Sequence, residues 1–255
     1  MLKKGICLYT FLTIITLFFG IHQQKNREDL GLYKVHTVED LKTLKIWVEE
    51  FESEDTKGSR LEFSGVKELA QEYLDTSSYA IVGRATGDLQ LYVGSTSQEI
   101  IVEKIIDLSD FSEITSNSGL AEKGEKVWIT QASGFQIRGE EEKHISYFDQ
   151  WINIMEKGDK YLIFVDGNSY NKYLSQKVFS TGELFYGYFN MTKDKAFVAN
   201  VTYDKAQLCD FKGSEVLTTQ KEEVEYYLEL KRILFKACGV KLEVFANTSG
   251  RSKVS

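Results

Sequence analysis

Three consecutive glutamates, Glu140, Glu141 and Glu142, stand just before His144 and make the densest local charge in the β-rich part of the chain. A carboxylic acid and a carboxylate held a few ångström apart can serve as acid and base in glycoside hydrolysis, and an imidazole can move protons near neutral pH. Adjacent glutamates on a loop point in different directions and repel one another, so the plainer reading is a solvated loop. The other histidines, His22 and His36, lie in or beside a polar stretch near the N-terminus. The chain has no HxxxH, HExxH or Cys/His cluster of the kind that holds zinc, and no GxSxG elbow for a serine nucleophile. Ser133-Gly134 falls at a turn, and Gly83-Arg84-Ala85-Thr86-Gly87 lacks the third glycine and the following helix of a dinucleotide fingerprint. The acid run of residues 49–55 reads as a solvated helix end rather than a cation site. The motifs therefore assign no catalytic, metal or cofactor residue and point to a non-catalytic protein.

Aromatic side chains give a second kind of chemistry. Phe185, Tyr186, Tyr188 and Phe189 surround Gly187, so aromatics face both sides of one strand. Such a strand can offer a binding platform for sugars, peptides or cell-envelope components, or it can pack on both sides of a sheet flanked by helices. These four residues form the candidate binding surface.

The compartment is set by residues 5–21 (GICLYTFLTIITLFFGI), an uncharged apolar run from Gly5 to Ile21 directly behind Lys3 and Lys4. As a helix it would span roughly 25 Å, a little less than the ~30 Å hydrocarbon layer of a bilayer. A cleaved secretory signal is the alternative. Gly20 suits the last position of a cleavage site, but Phe18 is too bulky two residues earlier. The reading is an uncleaved single-pass anchor with the N-terminus in the cytoplasm, although Lys25 and Arg27 weaken the charge contrast. Cys7 opens the run instead of following it, so it does not fit a lipoprotein cysteine. Cys209 and Cys238 then fall in an oxidising compartment, where they can pair or remain free thiols.

The chain of 255 residues carries a net charge of −7, and Lys3 and Lys4 make the part behind them more acidic still. Phosphate backbones are repelled by such a surface, which disfavours nucleic acid as a partner. No proline occurs at all, so turns rest on Gly, Asn, Asp and Ser. The abundance of Lys, Ile, Phe and Tyr suggests an AT-rich bacterial genome.

Residues 22–36 read as a stalk, and residues 37–76 as a helical portion. Thr37-Val38-Glu39-Asp40 has capping-box spacing, and Val38, Leu41, Leu44, Val48 and Phe51 follow at helical period. Ser64 is the expected cap of a second helix with Val66, Leu69, Ala70 and Tyr73 on one face. Residues 77–245 read as a β-rich domain with a C-terminal helix. Strands are expected at residues 79–83, 89–93 and 99–106. Two similar segments, Glu122-Lys123-Gly124-Glu125-Lys126 and Glu156-Lys157-Gly158-Asp159-Lys160, each feed a strand through a Lys-Gly turn. Asp166-Gly167-Asn168-Ser169 predicts a hairpin between residues 161–165 and 170–174. Tyr147, Trp151, Ile154 and Met155 predict a short helix, and residues 184–189 and 196–203 further strands. Thr219 to Glu222 is a second capping box, opening a helix with Val224, Tyr227, Leu228, Leu234 and Ala237 inward, which Gly239 stops. Residues 240–245 suggest a last strand and residues 246–255 a tail.

Ser78 to Arg84, Lys157 to Phe164 and Gly182 to Phe189 together give a serine-apolar-Val-Gly-basic strand, a Lys-Gly-acid-Lys-Tyr-Leu-Ile-Phe strand and an aromatic, Gly-containing segment. In this respect the chain resembles uncharacterised exported, membrane-anchored β-barrel domain proteins of Gram-positive bacteria, over less than half its length. The resemblance implies a small closed barrel and membrane attachment, with no activity or catalytic residues to carry over.

The fold expected is α+β, mainly β: a small antiparallel barrel or curved sheet with flanking helices, behind an N-terminal transmembrane anchor. The function expected is a membrane-anchored, extracytoplasmic binding or interaction protein of the bacterial cell envelope. It would contact another envelope protein or a glycan. An envelope hydrolase using Glu140 or Glu142 with His144 is one alternative, and an accessory subunit of a transporter or sensor is another.

Overall fold

The structure is a computed structural model that describes residues 31–49, 65–77, 79–92, 94–108, 121–132, 134–138, 144–148, 153–165, 167–171, 176–181, 186–193, 197–198, 207–211, 213–218 and 221–241. The run of residues 5–21 and the tail of residues 246–255 lie outside them. Among the described residues no helix is long and apolar enough to cross a membrane.

The expected capping box forms. Asp40 N–H donates to Thr37 Oγ1 at 3.1 Å and Thr37 N–H donates back to Asp40 Oδ2 at 2.9 Å, opening helix α1, Val38–Lys42. That helix is shorter than its apolar spacing suggests. Ile46, Trp47 and Val48 are β-branched or aromatic, and the chain turns at Thr43 to form strand β1, Ile46–Glu49. Helix α2, Val66–Thr76, buries Leu69, Ala70, Tyr73 and Leu74 on one face, as its spacing predicts. Its N-cap is Gly65, which makes no side-chain capping bond, and Ser64 lies outside the described residues.

The central element is a long hairpin of β2, Tyr79–Tyr92, and β3, Ser95–Asp107, which merges the separate short strands expected there. Strand β4, Lys126–Gln131, lies beside β3, and β7, Lys160–Val165, lies beside β2. The two Lys-Gly turns do feed strands, and they dock on the hairpin in matching ways. Gly124 N–H donates to Val102 O and Val102 N–H to Glu125 O, at 2.7 and 2.9 Å; Gly158 N–H donates to Ala85 O and Ala85 N–H to Asp159 O, at 2.8 and 3.0 Å. Both glycines have positive φ, +88° and +83°, which a β-carbon would strain.

Strands β5, Gly134–Arg138, and β6, His144–Phe148, join β1 in a three-stranded sheet of order β1-β6-β5. Tyr147 thus sits in a strand, and Ile154 and Met155 lie in a buried extended segment, instead of the expected short helix; Trp151 lies outside the described residues. With β8, Gly167–Asn171, β9, Gln176–Ser180, and β10, Tyr188–Asn190, the large sheet has seven strands in the order β10-β7-β2-β3-β4-β9-β8. The Asp166-Gly167 signal does not make a β7–β8 hairpin. β8 pairs with β9, and β7 with β2 and β10.

Two corrections to the barrel follow. The sheet is mixed, because β4 and β9 run parallel, and its ladder ends at β10 on one side and β8 on the other, so it is not a closed antiparallel barrel. It is nevertheless strongly curved. In a flat sheet β7 and β8 would stand roughly 24 Å apart at ~4.8 Å per strand, yet a single residue joins them and reaches at most about 7 Å. The sheet must roll until β8 comes beside the end of β7.

Strands β11, Phe197–Val198, and β12, Leu217–Thr218, form a small parallel pair before helix α3, Lys221–Ala237. Of the strand expected at residues 196–203, β11 is the part that lies within the described residues. Thr219 and Gln220 lie outside the described residues. Gly239, with φ +61°, stops α3 as expected, with Val240 N–H reaching Phe235 O at 2.9 Å and Gly239 N–H reaching Lys236 O at 3.2 Å. Helices α2 and α3 pack together over the large sheet, and their buried faces join its core. A second apolar cluster holds Leu32, Val35, Val38, Leu41, Ile46, Leu89, Phe135, Ile145 and Ile154. The fold is α+β and mainly sheet.

Gly187 marks a close approach, since a β-carbon there would stand 2.6 Å from Thr181 Cβ. Gly187→Ala should lower stability by about 1–3 kcal/mol in chemical denaturation. Gly124→Ala, where only φ is strained, should cost about 1–2 kcal/mol.

Candidate functional site

The four aromatics of the candidate surface do not form an exposed platform. Tyr186, Tyr188 and Phe189 are buried, and Phe185 lies outside the described residues. As the sequence suggests, aromatics face both sides of the strand, but both sides are interior. Phe189 stacks on Tyr227 of α3 at 5.5 Å between ring centroids and meets Tyr73 of α2 at 5.9 Å. Tyr188 meets Tyr161 edge-on at 5.5 Å and donates its hydroxyl to Asn153 O at 2.7 Å. Tyr186 packs on Tyr227 at 5.0 Å, and its N–H donates to the Tyr73 hydroxyl at 2.6 Å. These rings fasten both helices to the sheet.

Glu140, Glu141 and Glu142 lie outside the described residues. His144 opens β6, its backbone opposite Arg138 of β5. Cys209 is exposed and Cys238 buried. Burial pushes the Cys238 thiol up to about 12, which keeps it protonated and inert. Among the described residues no group of three or more His, Cys, Asp or Glu side chains is placed to hold a metal.

The densest chemistry in the described structure is a buried ion pair that motif reading misses. Tyr227 and Lys231 are four residues apart on α3, so both project from one helix face. That face is otherwise apolar, with Leu230 and Leu234 buried beside them. Lys231 Nζ meets Glu215 at 2.8 and 3.0 Å to the two carboxylate oxygens, and both side chains are about 95 % buried. Tyr227 donates its hydroxyl to Glu215 Oε2 at 2.6 Å, and Asn190 N–H approaches the same oxygen at 3.3 Å. Lys231 also donates to Lys193 O at 2.7 Å. Lys193 in turn pairs with Asp159 at 2.5 Å, and Asn190 Nδ2 donates to that carboxylate at 2.9 Å. The hint in the sequence is a lysine set in the apolar stripe of α3; nothing local marks Glu215 as its partner.

The network continues into residues 153–156, which are buried or nearly so without regular structure. Backbone groups in such a segment need partners. Gln98 supplies two, accepting from Met155 N–H at 2.9 Å and donating to Met155 O at 3.0 Å. Asn153 donates its side-chain amide to Ser214 O at 3.0 Å and its backbone N–H to Glu215 O at 2.9 Å. Glu156 N–H donates to the Tyr161 hydroxyl at 2.7 Å, and its carboxylate pairs with Lys42 of α1 at 2.7 Å.

Between these groups lies a cavity of about 10 Å³, lined by Asn153, Tyr161, Tyr188, Asn190, Ser214 and Glu215 among others. That is about the space one water occupies. Burial pushes the Glu215 carboxyl above its ordinary 4.5, against the opposing pull of Lys231, Tyr227 and the Asn190 N–H. Glu103 behaves oppositely. Its partial burial is outweighed by Lys160 and Arg84, at 2.9 and 3.0 Å, which hold its carboxyl below 4.5. With its partners spent internally and water-sized space beside it, the Glu215 arrangement holds elements together.

Comparison of the chain with protein-family models and with curated proteins finds no match. The functional reading therefore rests on the residues.

Removing one buried charge strands the other. Lys231→Met should cost about 3–5 kcal/mol, and the pair Glu215→Gln with Lys231→Met should recover roughly 1–3 kcal/mol of the summed single losses in a denaturation cycle. In an NMR titration of side-chain carboxyls, the Glu215 midpoint should fall above 4.5 and the Glu103 midpoint below it. A raised folded midpoint means that protonating Glu215 favours the folded state, so its contribution is full below 4.5 and is lost as pH rises through that midpoint. The Glu103 contribution is present above 4.5 and is lost as pH falls through its lowered midpoint.

Proposed function

We propose that this protein is a membrane-tethered, extracytoplasmic domain of a bacterial cell envelope that works by contact with another envelope component and not by catalysis. The observation that carries the reading is the uncharged apolar run of residues 5–21 behind Lys3 and Lys4, followed by an acidic remainder. A chain built this way is held at a bilayer by its N-terminal end, with its folded part on the far side. The interior supports the same reading. Tyr186, Tyr188 and Phe189 bind the helices to the sheet, and Glu215, Lys231, Asp159 and Lys193 neutralise one another beside space for a single water. These groups hold a rigid body in shape for its outer surface to be used. The acidic balance favours a protein or glycan over nucleic acid as the partner.

A reporter that is enzymatically active only outside the cytoplasm, fused behind Ser255, should be active and membrane-bound. A soluble, cytosolic fusion would overturn the reading. Exchange of residues 5–21 for an unrelated membrane helix should leave the fusion active and bound, as expected of a tether.

A further inference from the structure

The chain enters the folded domain at one end, and that end carries its own surface chemistry. Nine residues, 22–30, separate Ile21 from Gly31. Even fully extended, the ten steps from Ile21 to Gly31 reach only about 36 Å at ~3.6 Å per step. The end that begins at Gly31 is therefore held within that reach of any bilayer that residues 5–21 enter.

Tyr33, in a short 3-10 turn at Leu32–Lys34, is 53 % exposed, the highest value among the exposed large hydrophobic side chains described. Lys34 is exposed beside it, its Nζ 5.3 Å from the Tyr33 ring centroid. A second pair of the same kind lies close by. Gly31 faces Leu44, a β-carbon at Gly31 standing 3.6 Å from Leu44 Cδ2. The next residue, Lys45, is exposed and holds its Nζ 5.0 Å from the ring of half-buried Trp47. Two acids among the described residues here have partners. Asp40 accepts from His36 and Thr37 N–H groups, and Glu39 pairs with Lys42 at 3.1 Å.

The end is also fixed to the body of the domain. Leu32, Val35 and Val38 are buried in the second apolar cluster, and Leu89 N–H of β2 donates to His36 O at 2.8 Å. Where this end points, the domain points.

We infer that the face formed by Tyr33, Lys34, Lys45 and Trp47 docks on the headgroup layer of an anionic lipid bilayer; this rests on the tether reading above. Tyrosine and tryptophan rings favour the membrane–water boundary, where an apolar body and a polar tip are both accommodated. Lysines beside them are drawn to anionic headgroups.

The test uses the full chain reconstituted in vesicles of phosphatidylethanolamine and phosphatidylglycerol, with Cys7 and Cys209 replaced by alanine. An environment-sensitive dye is placed at Tyr33→Cys or, as a control, at Lys123→Cys on the exposed turn before β4. Lipid carrying a spin label on its headgroup should quench the dye at position 33 and not at 123. Lys34→Glu with Lys45→Glu should weaken the quenching at 33 about fivefold or more while the chain stays in the alkali-resistant membrane fraction. Replacing phosphatidylglycerol with phosphatidylcholine should weaken it similarly, with no change to the protein. Equal quenching at both positions, or quenching at 33 indifferent to both the lysines and the lipid charge, would overturn docking while leaving the tether intact. Release of the chain by alkali would overturn the tether and the docking with it.

Discussion

A carboxylate and an ammonium shut away from water can be tolerated only in each other's company, and the pairing of Glu215 with Lys231 imposes that condition on this fold. The acid comes from the segment before β12, and the base from the middle of α3. The other partners come from β10, from the turn before β7 and from the loop after β10. Each can meet its bonding needs only when all are in place. The pair adds little net attraction once desolvation is counted, but misplacing any one element leaves a buried charge exposed to that cost. The ion pair therefore specifies how α3 sits, and the aromatic contacts of Tyr73, Phe189 and Tyr227 supply the area that holds it there.

The same logic explains the buried segment at residues 153–156. A stretch without regular structure between two apolar clusters would leave peptide groups unbonded, and Gln98, Asn153 and Tyr188 remove that penalty with side-chain amides and a hydroxyl. Glu156 carries the connection outward to Lys42, tying α1 to the turn that starts β7. Polar side chains here act as substitutes for a neighbouring strand.

Elements whose reasons are local can be read directly from the sequence. The Thr37–Asp40 box spans four residues, the Gly124 and Gly158 turns depend on one positive φ each, and the faces of α2 and α3 follow from apolar period. Where the sequence misleads, a distant partner decides. Asp166-Gly167 has the chemistry of a tight turn, but turn chemistry does not say which strand will lie alongside, and β8 finds β9. Apolar spacing through Val48 supports a helix until β6 offers Ile46–Glu49 a parallel partner. The aromatics around Gly187 are legible as a two-sided strand; that both sides are interior depends on α2, α3 and residues 153–156 arriving from far along the chain. Lys231 could have been flagged as a charge within an apolar stripe. Glu215, sixteen positions earlier, offers no local mark.

The single residue between β7 and β8 has a mechanical consequence. An outermost strand ordinarily frays first and exposes hydrogen-bonding groups to other chains. Here β8 is stitched covalently to a strand buried near the opposite margin, so peeling it away pulls on Leu162, Ile163 and Phe164 in the core. The rolled sheet thus couples its loosest border to its best-packed interior, a safeguard against strand exchange achieved by chain path.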